Sequence, residues 1–240
     1  METYRCVALL PMKAHSGRMP HKNFRLFAGK PLFRWILDTL LSLHEIERVI
    51  INTDARDIFA AHDLVESGRV LIRDRKLELQ GDAVSMNLVL ADDVSHVRSE
   101  CYLMTHATNP LLTAGTIRRA VGAYQQGVAA GHCDSLFSVN KFQARFYRGD
   151  GTAVNHDPGN LIRTQDLEPW FEENSNLYLF SRESFLATGA RIGRRPMMFV
   201  TPKIESVDID DEESWDLGEA LAKSTLTARQ GPPSGILPHS

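Results

Sequence analysis

The sequence is short of cysteine: three in 240 residues, Cys6, Cys101 and Cys133, an odd number in no metal-ligand spacing. That speaks against a disulfide framework and a cysteine-built zinc site, and it predicts free thiols in a cytoplasmic chain. Neither sign of charge is in large excess, with 27 Lys plus Arg against 30 Asp plus Glu. Such a balance offers no general attraction to nucleic acid or to an anionic membrane. Long hydrophobic runs are missing as well. No stretch approaches the roughly 20 apolar residues of a membrane helix. The opening METYRCVALLP has too short an apolar run, and nothing like a cleavage site, to act as a signal peptide. Low-complexity blocks and internal repeats are absent.

What is present is enough apolar residue, 43%, for one large domain, or one domain carrying an insertion. Short buried runs read as strands at Val7–Pro11, Arg48–Asn52, Val70–Ile72, Cys101–Thr105, Ser135–Val139, Asn176–Phe180 and Glu205–Ile209. Helical spacing falls between them at Pro31–Ser42, Asp57–Ser67, Ser85–His96, after the capping Thr113, at Glu183–Ala187 and at Glu212–Ser224. This alternation predicts an α/β fold: a mostly parallel sheet with helices on both faces, binding ligand beyond the carboxyl ends of its strands. From 140 to 174 the composition turns to Gly, Asp, Asn and Pro, and RFY and LIR read as short strands of a small β arm. The predicted domain is 1–225, and the Gly/Pro-rich tail 226–240 is expected to be disordered.

The strongest local signal is the loop after the first strand, Lys13-Ala14-His15-Ser16-Gly17-Arg18-Met19-Pro20-His21-Lys22-Asn23. It gathers cations and backbone amides, the combination that a triphosphate and a departing pyrophosphate require. It lacks the GxxxxGK[ST] order of a Walker loop. A solvated basic loop is the plainer alternative. Further on, Asp208 and Asp210 alternate with Val207 and Ile209. On a strand, residues two apart share a face, so both carboxylates would point one way and invite a cation. Paired carboxylates completed by substrate phosphates suit Mg²⁺, with Mn²⁺ as a substitute. The alternative is that one aspartate caps the final helix and the other is solvated.

The first loop, with Phe24-Arg25 and Ala28-Gly29-Lys30-Pro31-Leu32 behind it, resembles the opening of the cytidylyltransferases that make CMP-activated sugar acids. These are the CMP-sialic acid synthetases and their relatives acting on 3-deoxy-octulosonate. The resemblance runs over most of 5–222. It includes Asn52-Thr53-Asp54, Arg73, Gly81-Asp82-Ala83-Val84-Ser85, Ala107-Thr108-Asn109-Pro110-Leu111, Asn174-Ser175-Asn176-Leu177-Tyr178 and Val207-Asp208-Ile209-Asp210. It implies a Rossmann-like, glycosyltransferase-A-like fold whose small β arm makes a homodimer. It also implies roles residue by residue. Lys22 and Arg18 act on the triphosphate with Asp208 and Asp210, which hold the metal. Lys13, Ser16 and Asn23 bind phosphates, and Arg73, Asp82 and Ser85 embrace the cytidine. Arg163, with Arg145 as a second anion contact, receives the acceptor's acid group, and His106, Asn174 and Tyr178 line its pocket. The loop mixes features: Lys13 stands where the sialate branch has arginine, and Arg18 where the octulosonate branch has it. Glu172-Glu173 stands where the sialate branch often carries a cation, which fits an amino-bearing acceptor or two solvated glutamates.

The reaction implied is in-line attack of an acceptor oxygen on the α-phosphorus of CTP, with release of pyrophosphate. The partners are then CTP and a small acidic acceptor. Two alternatives stand beside it: the same fold acting on a phosphonate or sugar 1-phosphate, and a non-catalytic nucleotide-binding homologue. Retention of Lys22, Asp208 and Asp210 argues against the second.

Overall fold

A strand covered on both faces carries apolar side chains at consecutive positions. VAL, VII and YLM are such runs in the inner strands, and VLI is one in the edge strand at the start of the sheet. A computed structural model of the chain describes residues 3–14 and 17–230. Its elements are β1 (Thr3–Leu9), the short β2 (Leu26–Phe27) and β3 (Lys30–Pro31), α1 (Leu32–Leu41), β4 (Arg48–Thr53) and α2 (Arg56–Ala60). Then come β5 (Val70–Asp74), α3 (Met86–His96), β6 (Arg98–Met104), α4 (Ala114–Ala129) and β7 (Ser135–Phe142). The chain continues with β8 (Trp170–Phe180), α5 (Arg182–Thr188), β9 (Pro196–Val200) and α6 (Glu212–Gln230).

Seven strands form one sheet in the order β5-β4-β1-β6-β8-β7-β9, and β2 and β3 make a separate hairpin. β8 alone runs against its neighbours β6 and β7, so the sheet is mostly parallel as expected. Alternation along β1 feeds two cores. Cys6 and Ala8 face the side covered by Phe33 of α1, Phe59 of α2 and Ile117 of α4. Val7 and Leu9 face the side covered by Leu90 of α3 and Phe185 of α5. A third cluster packs α6 through Trp215 against Phe27, Met19 and Ile209. Thr113 caps α4 as the sequence predicted, and Ser85 caps α3, each accepting from a backbone N–H of the first turn.

Four expectations need correction. The helix after Ala55 stops at Ala60, where Asp63 turns left-handed (φ 59°) and the Leu64 amide returns to the Phe59 carbonyl. The last strand is β9, and Glu205–Ile209 is not a strand. Residues 203–206 form a 3-10 turn in which the buried Glu205 carboxylate accepts from the Thr113 amide (2.9 Å) and the Thr116 hydroxyl (2.9 Å). In the arm, β7 and β8 pair out to Phe142 and Trp170, and Tyr147 bridges Ala153, but Leu161–Arg163 belong to no strand. Finally, α6 continues through 226–230, while 231–240 lie outside the described residues.

Candidate active site

The carboxyl ends of the parallel strands β1, β4, β5 and β6 open on one edge of the sheet, where a cleft of about 660 Å³ holds most of the expected residues. Lys13, Arg18, Lys22 and Asn23 from the first loop line it, together with Asp82, His106, Asp208 and Asp210. Ser16 lies outside the described residues. The loop is built by its own polar groups. The Ala14 amide donates to Asp54 Oδ1 (2.7 Å), and Asn23 Nδ2 donates to the Lys13 carbonyl (3.0 Å). Asp54 of the Asn-Thr-Asp motif therefore shapes the loop from behind. Lys13 Nζ reaches Asp82 Oδ1 (2.9 Å), which holds that carboxyl below its usual range. Lys22 is only 6% exposed. Its ammonium donates to the Ile209 carbonyl and to Asp210 Oδ1 (3.2 Å), while Arg18 meets Asp210 Oδ2 (3.0 Å).

Asp208 and Asp210 do share a side, although no ladder holds them. One hydrogen bond, Ile209 N to the Thr108 carbonyl (2.9 Å), and the burial of Ile209 fix the extended segment. Asp210 spends its oxygens on Lys22 and Arg18. Asp208 Oδ1 is buried with no hydrogen-bond partner among the described residues. Burial, and then the neighbouring Asp210, raise the Asp208 carboxyl above its ordinary range.

Of the two arginines in RDRK it is Arg75, not Arg73, that lines the cleft. Arg73 turns to α3, with Nη1 on Asp93 Oδ1 (2.5 Å) and Nη2 on Asp92 Oδ2 (2.8 Å), and compensates two adjacent buried carboxylates. Arg75 is 5% exposed. Asn52 clamps it: Nε reaches the side-chain Oδ1 (2.9 Å) and Nη2 the backbone carbonyl (2.7 Å). Asn52 is held in turn by Asp93 (2.9 Å). Burial lowers the pKa of the Arg75 guanidinium.

His106, Ser175 and Arg191 also line the cleft. Burial, and then the charge of Arg191, push the His106 pKa down to about 4, so its imidazole is neutral at pH 7. Ser175 sits in a bulge where β8 slips against β7, with its backbone left-handed (φ 57°). Ser175 and Arg191 join the expected residues in the cleft. Ser175 belongs to the Asn-Ser-Asn motif but had no role of its own, whereas Arg191 carries no motif. Ser85, the cap of α3, lines a hollow next to the cleft with Glu173, and Met86 and Arg191 belong to both.

Four other expected residues are elsewhere. Arg163 makes a two-pronged pair with Asp166 on the arm, and Arg145 donates to the Ile162 carbonyl; neither lines the cleft. Asn174 is buried and ties Thr201 Oγ1 (2.7 Å) and Asn140 Oδ1 (3.0 Å) together behind the site. The Tyr178 ring is core, and its hydroxyl donates to Glu173; burial pushes its pKa up to about 12. Glu173 is thereby engaged, and Glu172 accepts from Asn140 Nδ2 (3.0 Å). A second hollow of about 580 Å³, walled by Trp35, Leu111 and Leu226, carries none of the loop cations or the aspartate pair.

A model of the cytidylyltransferase family matches residues 7–209, from β1 to the aspartate pair. The chain belongs to that family. Among curated relatives, it is 27% identical to CMP-N,N'-diacetyllegionaminic acid synthase of Legionella pneumophila, over 90% of this chain and 96% of that one. It is 22% identical to pseudaminic acid cytidylyltransferase of Campylobacter jejuni, with 90% and 96% covered. It is 26% identical to N-acylneuraminate cytidylyltransferase of Oncorhynchus mykiss, covering 91% of this chain and half of that longer one. The fold is shared with a CMP:2-keto-3-deoxy-manno-octonic acid synthetase solved with CTP (TM-score 0.64, 14% identity, 92% and 99% covered). It is shared equally with a 4-diphosphocytidyl-2C-methyl-D-erythritol synthase of Anaerococcus prevotii (TM-score 0.65, 13% identity, 92% and 96% covered). In this cytidylyltransferase one edge of the sheet brings the basic loop and the two aspartates into the same cleft.

Proposed function

We propose that this cytidylyltransferase transfers CMP from CTP to an acidic sugar, releasing pyrophosphate. The observation that carries the reading is the joining of Lys22, Arg18, Asp208 and Asp210 in one cleft, in a chain whose curated relatives are named for CMP-activation of sugar acids. The acceptor hydroxyl oxygen forms a bond to the α-phosphorus while the bond to the bridging oxygen of the β-phosphate breaks. The hydroxyl proton leaves to solvent, and pyrophosphate takes the electron pair. Lys22, Arg18 and Lys13 hold the β- and γ-phosphates and offset the charge that grows on the leaving group. Asn23 positions the loop for them, and Arg75 with Asp82 holds the nucleoside end.

Asp208 and Asp210 fit Mg²⁺. A buried carboxylate oxygen without a partner is what an oxygen-seeking cation would satisfy. No cluster of three or more His, Cys, Asp or Glu among the described residues forms a closed cage, so phosphates and water would complete the shell. When bound, Mg²⁺ supplies charge neutralisation at the phosphates and lowers the pKa of a coordinated hydroxyl. The enzyme acts where CTP is made, in the cytoplasm; no helix among the described residues is long and apolar enough to cross a membrane.

The test is pyrophosphate release from each of the four nucleoside triphosphates. It is run with a panel of 2-keto-3-deoxy sugar acids, a phosphonate and a sugar 1-phosphate, with and without Mg²⁺. Release that needs CTP, a sugar acid and Mg²⁺ or Mn²⁺ is expected. Turnover with the phosphonate or sugar phosphate alone would overturn the acceptor class, and turnover in EDTA would overturn the metal.

A further inference from the structure

The cleft carries a second set of charges. The loop cations Lys13, Arg18 and Lys22 are each paired with Asp82 or Asp210. Arg191 also lines the cleft, from the loop between α5 and β9, beyond Gly189 in its left-handed turn (φ 66°). Its surroundings fix it in place. The guanidinium carbon lies 4.0 Å from the centroid of the Tyr178 ring, and Nη2 donates to the Tyr178 hydroxyl (3.0 Å). The Tyr178 hydroxyl donates in turn to Glu173, whose Oε1 is 3.6 Å from Nη2. The backbone amide of Arg191 donates to Asn87 Oδ1 (3.3 Å). Ring, hydroxyl and carboxylate thus orient one edge of the planar group. Nη1 and Nε make no hydrogen bond among the described residues, and Nη2 spends one of its two N–H groups on Tyr178; its second N–H, with Nη1 or with Nε beside it, leaves one two-pronged edge open. The side chain is 21% exposed, which places those donors in the cleft wall rather than in bulk water.

We propose that Arg191, oriented by Tyr178 and Glu173, binds the acid group of the acceptor. The proposal rests on the sugar-acid reading above and deepens it by naming the residue that selects the acid. A planar carboxylate matches the donor fork of a guanidinium, and a pre-oriented fork loses little freedom on pairing. Glu173 is near enough to orient Arg191 and too far to saturate it, since 3.6 Å is beyond a good hydrogen bond. His106, neutral beside it, adds a donor or acceptor without competing for the anion. The arm arginines do not offer the same site within one chain: Arg163 is spent on Asp166, and Arg145 on the Ile162 carbonyl. On this assignment the acceptor's acid is read by the body of the domain, through Arg191. Glu173, occupied by Tyr178 and Arg191, is not a free partner for an amino group.

The experiment compares wild type, R191K, R191Q, E173Q and R163K on N-acetylneuraminate and other 2-keto-3-deoxy sugar acids, each as free acid and as methyl ester. KM for acceptor and for CTP are read separately, and CTP-induced thermal shift checks that each variant is folded. Wild type should prefer acid to ester. R191K and R191Q should raise the acceptor KM about tenfold or more, leave the CTP KM within about twofold, and abolish the acid-over-ester preference. E173Q, acting only through position, should raise the acceptor KM less and keep the preference. R191K with an unchanged acceptor KM and an intact preference would overturn the assignment, as would R163K alone losing the preference. A wild type that uses none of the acids would overturn the sugar-acid reading itself, a result distinct from an active wild type indifferent to Arg191.

Discussion

At the residue scale the site turns on a few side chains whose partners decide their roles. Lys22 is buried with its ammonium between the Ile209 carbonyl and Asp210, so it links the first loop to the aspartate pair as well as lining the cleft. Lys30, eight residues on, is half-exposed, pairs with Asp38 and lies over the Trp35 ring, outside the cleft. Lys22→Ala should lower kcat/KM for CTP by a factor corresponding to about 2–4 kcal/mol of transition-state stabilisation. Lys30→Ala should leave it near wild type. Steady-state kinetics with varied CTP check this, and equal small effects would contradict the assignment. The loop, Lys22, Arg18, Asp82 and the aspartate pair were all legible, because a motif gathers them and the fold keeps them in one cleft. Arg73 was not. RDRK holds two arginines, and only the packing of Asp92 and Asp93 on α3 shows that Arg73 is needed to compensate them, which leaves Arg75 for the cleft. The adjacent acids within an otherwise apolar helix were the available signal, since buried carboxylates demand a cation. Arg191 left no such trace, being one arginine in a run of loop residues.

At the element scale the sequence was clear where periodicity and caps agreed. Thr113 announces α4, helical spacing over Ser85–His96 announces α3, and apolar runs announce β1, β4, β5 and β6. It was misleading where tertiary hydrogen bonds compete with local pattern. Val207-Asp208-Ile209-Asp210 alternates like a strand, yet no neighbour pairs with it. Glu205 instead caps α4, and Ile209 drops into the cluster of Phe27 and Trp215. β9, PMMFV, follows a Gly/Arg-rich loop and pairs with β7 at the sheet edge, with Met198 and Val200 half-exposed. The position of the aspartates therefore depends on how closely α6 approaches them. Gly218 of α6 permits that approach: a Cβ there would lie 2.6 Å from Ile209 Cδ1 and 3.2 Å from Phe27 Cζ. Gly218→Val should cost about 1–3 kcal/mol by overpacking. It should also lower turnover by displacing the Asp208–Asp210 segment. A melting curve and a kcat measurement check the two parts, and a variant with wild-type melting temperature and kcat would show that the helix is not the support claimed.

At the scale of the whole molecule, the alternation of strand and helix made the α/β sheet and its ligand-binding edge readable, because both follow from pairing and chain direction alone. The use of the arm is a matter of surfaces. Its base is a true β extension, with Phe146 stacked on Trp170 (5.3 Å between centroids) and Phe142 edge-on to Phe146. Beyond the base it has little regular structure, and it leaves Tyr147, Leu161, Ile162, Trp170 and Phe171 each at least 40% exposed. Large apolar side chains exposed together on one arm mark a surface made for contact with another protein. A symmetric contact burying on the order of 800 Å² per subunit would cover it. The protein should therefore be a homodimer through residues 140–174. Light scattering at micromolar concentration should give twice the mass of the 26.9 kDa chain. A variant carrying Ile162→Glu and Phe171→Glu should run as a monomer, because two charges placed in an apolar contact oppose association without touching either core. Since the cleft residues Lys22, Asp208 and Arg191 all come from the body of one chain, that monomer should still bind CTP. A wild type of monomeric mass, or a double variant that remains dimeric, would move the contact away from the arm.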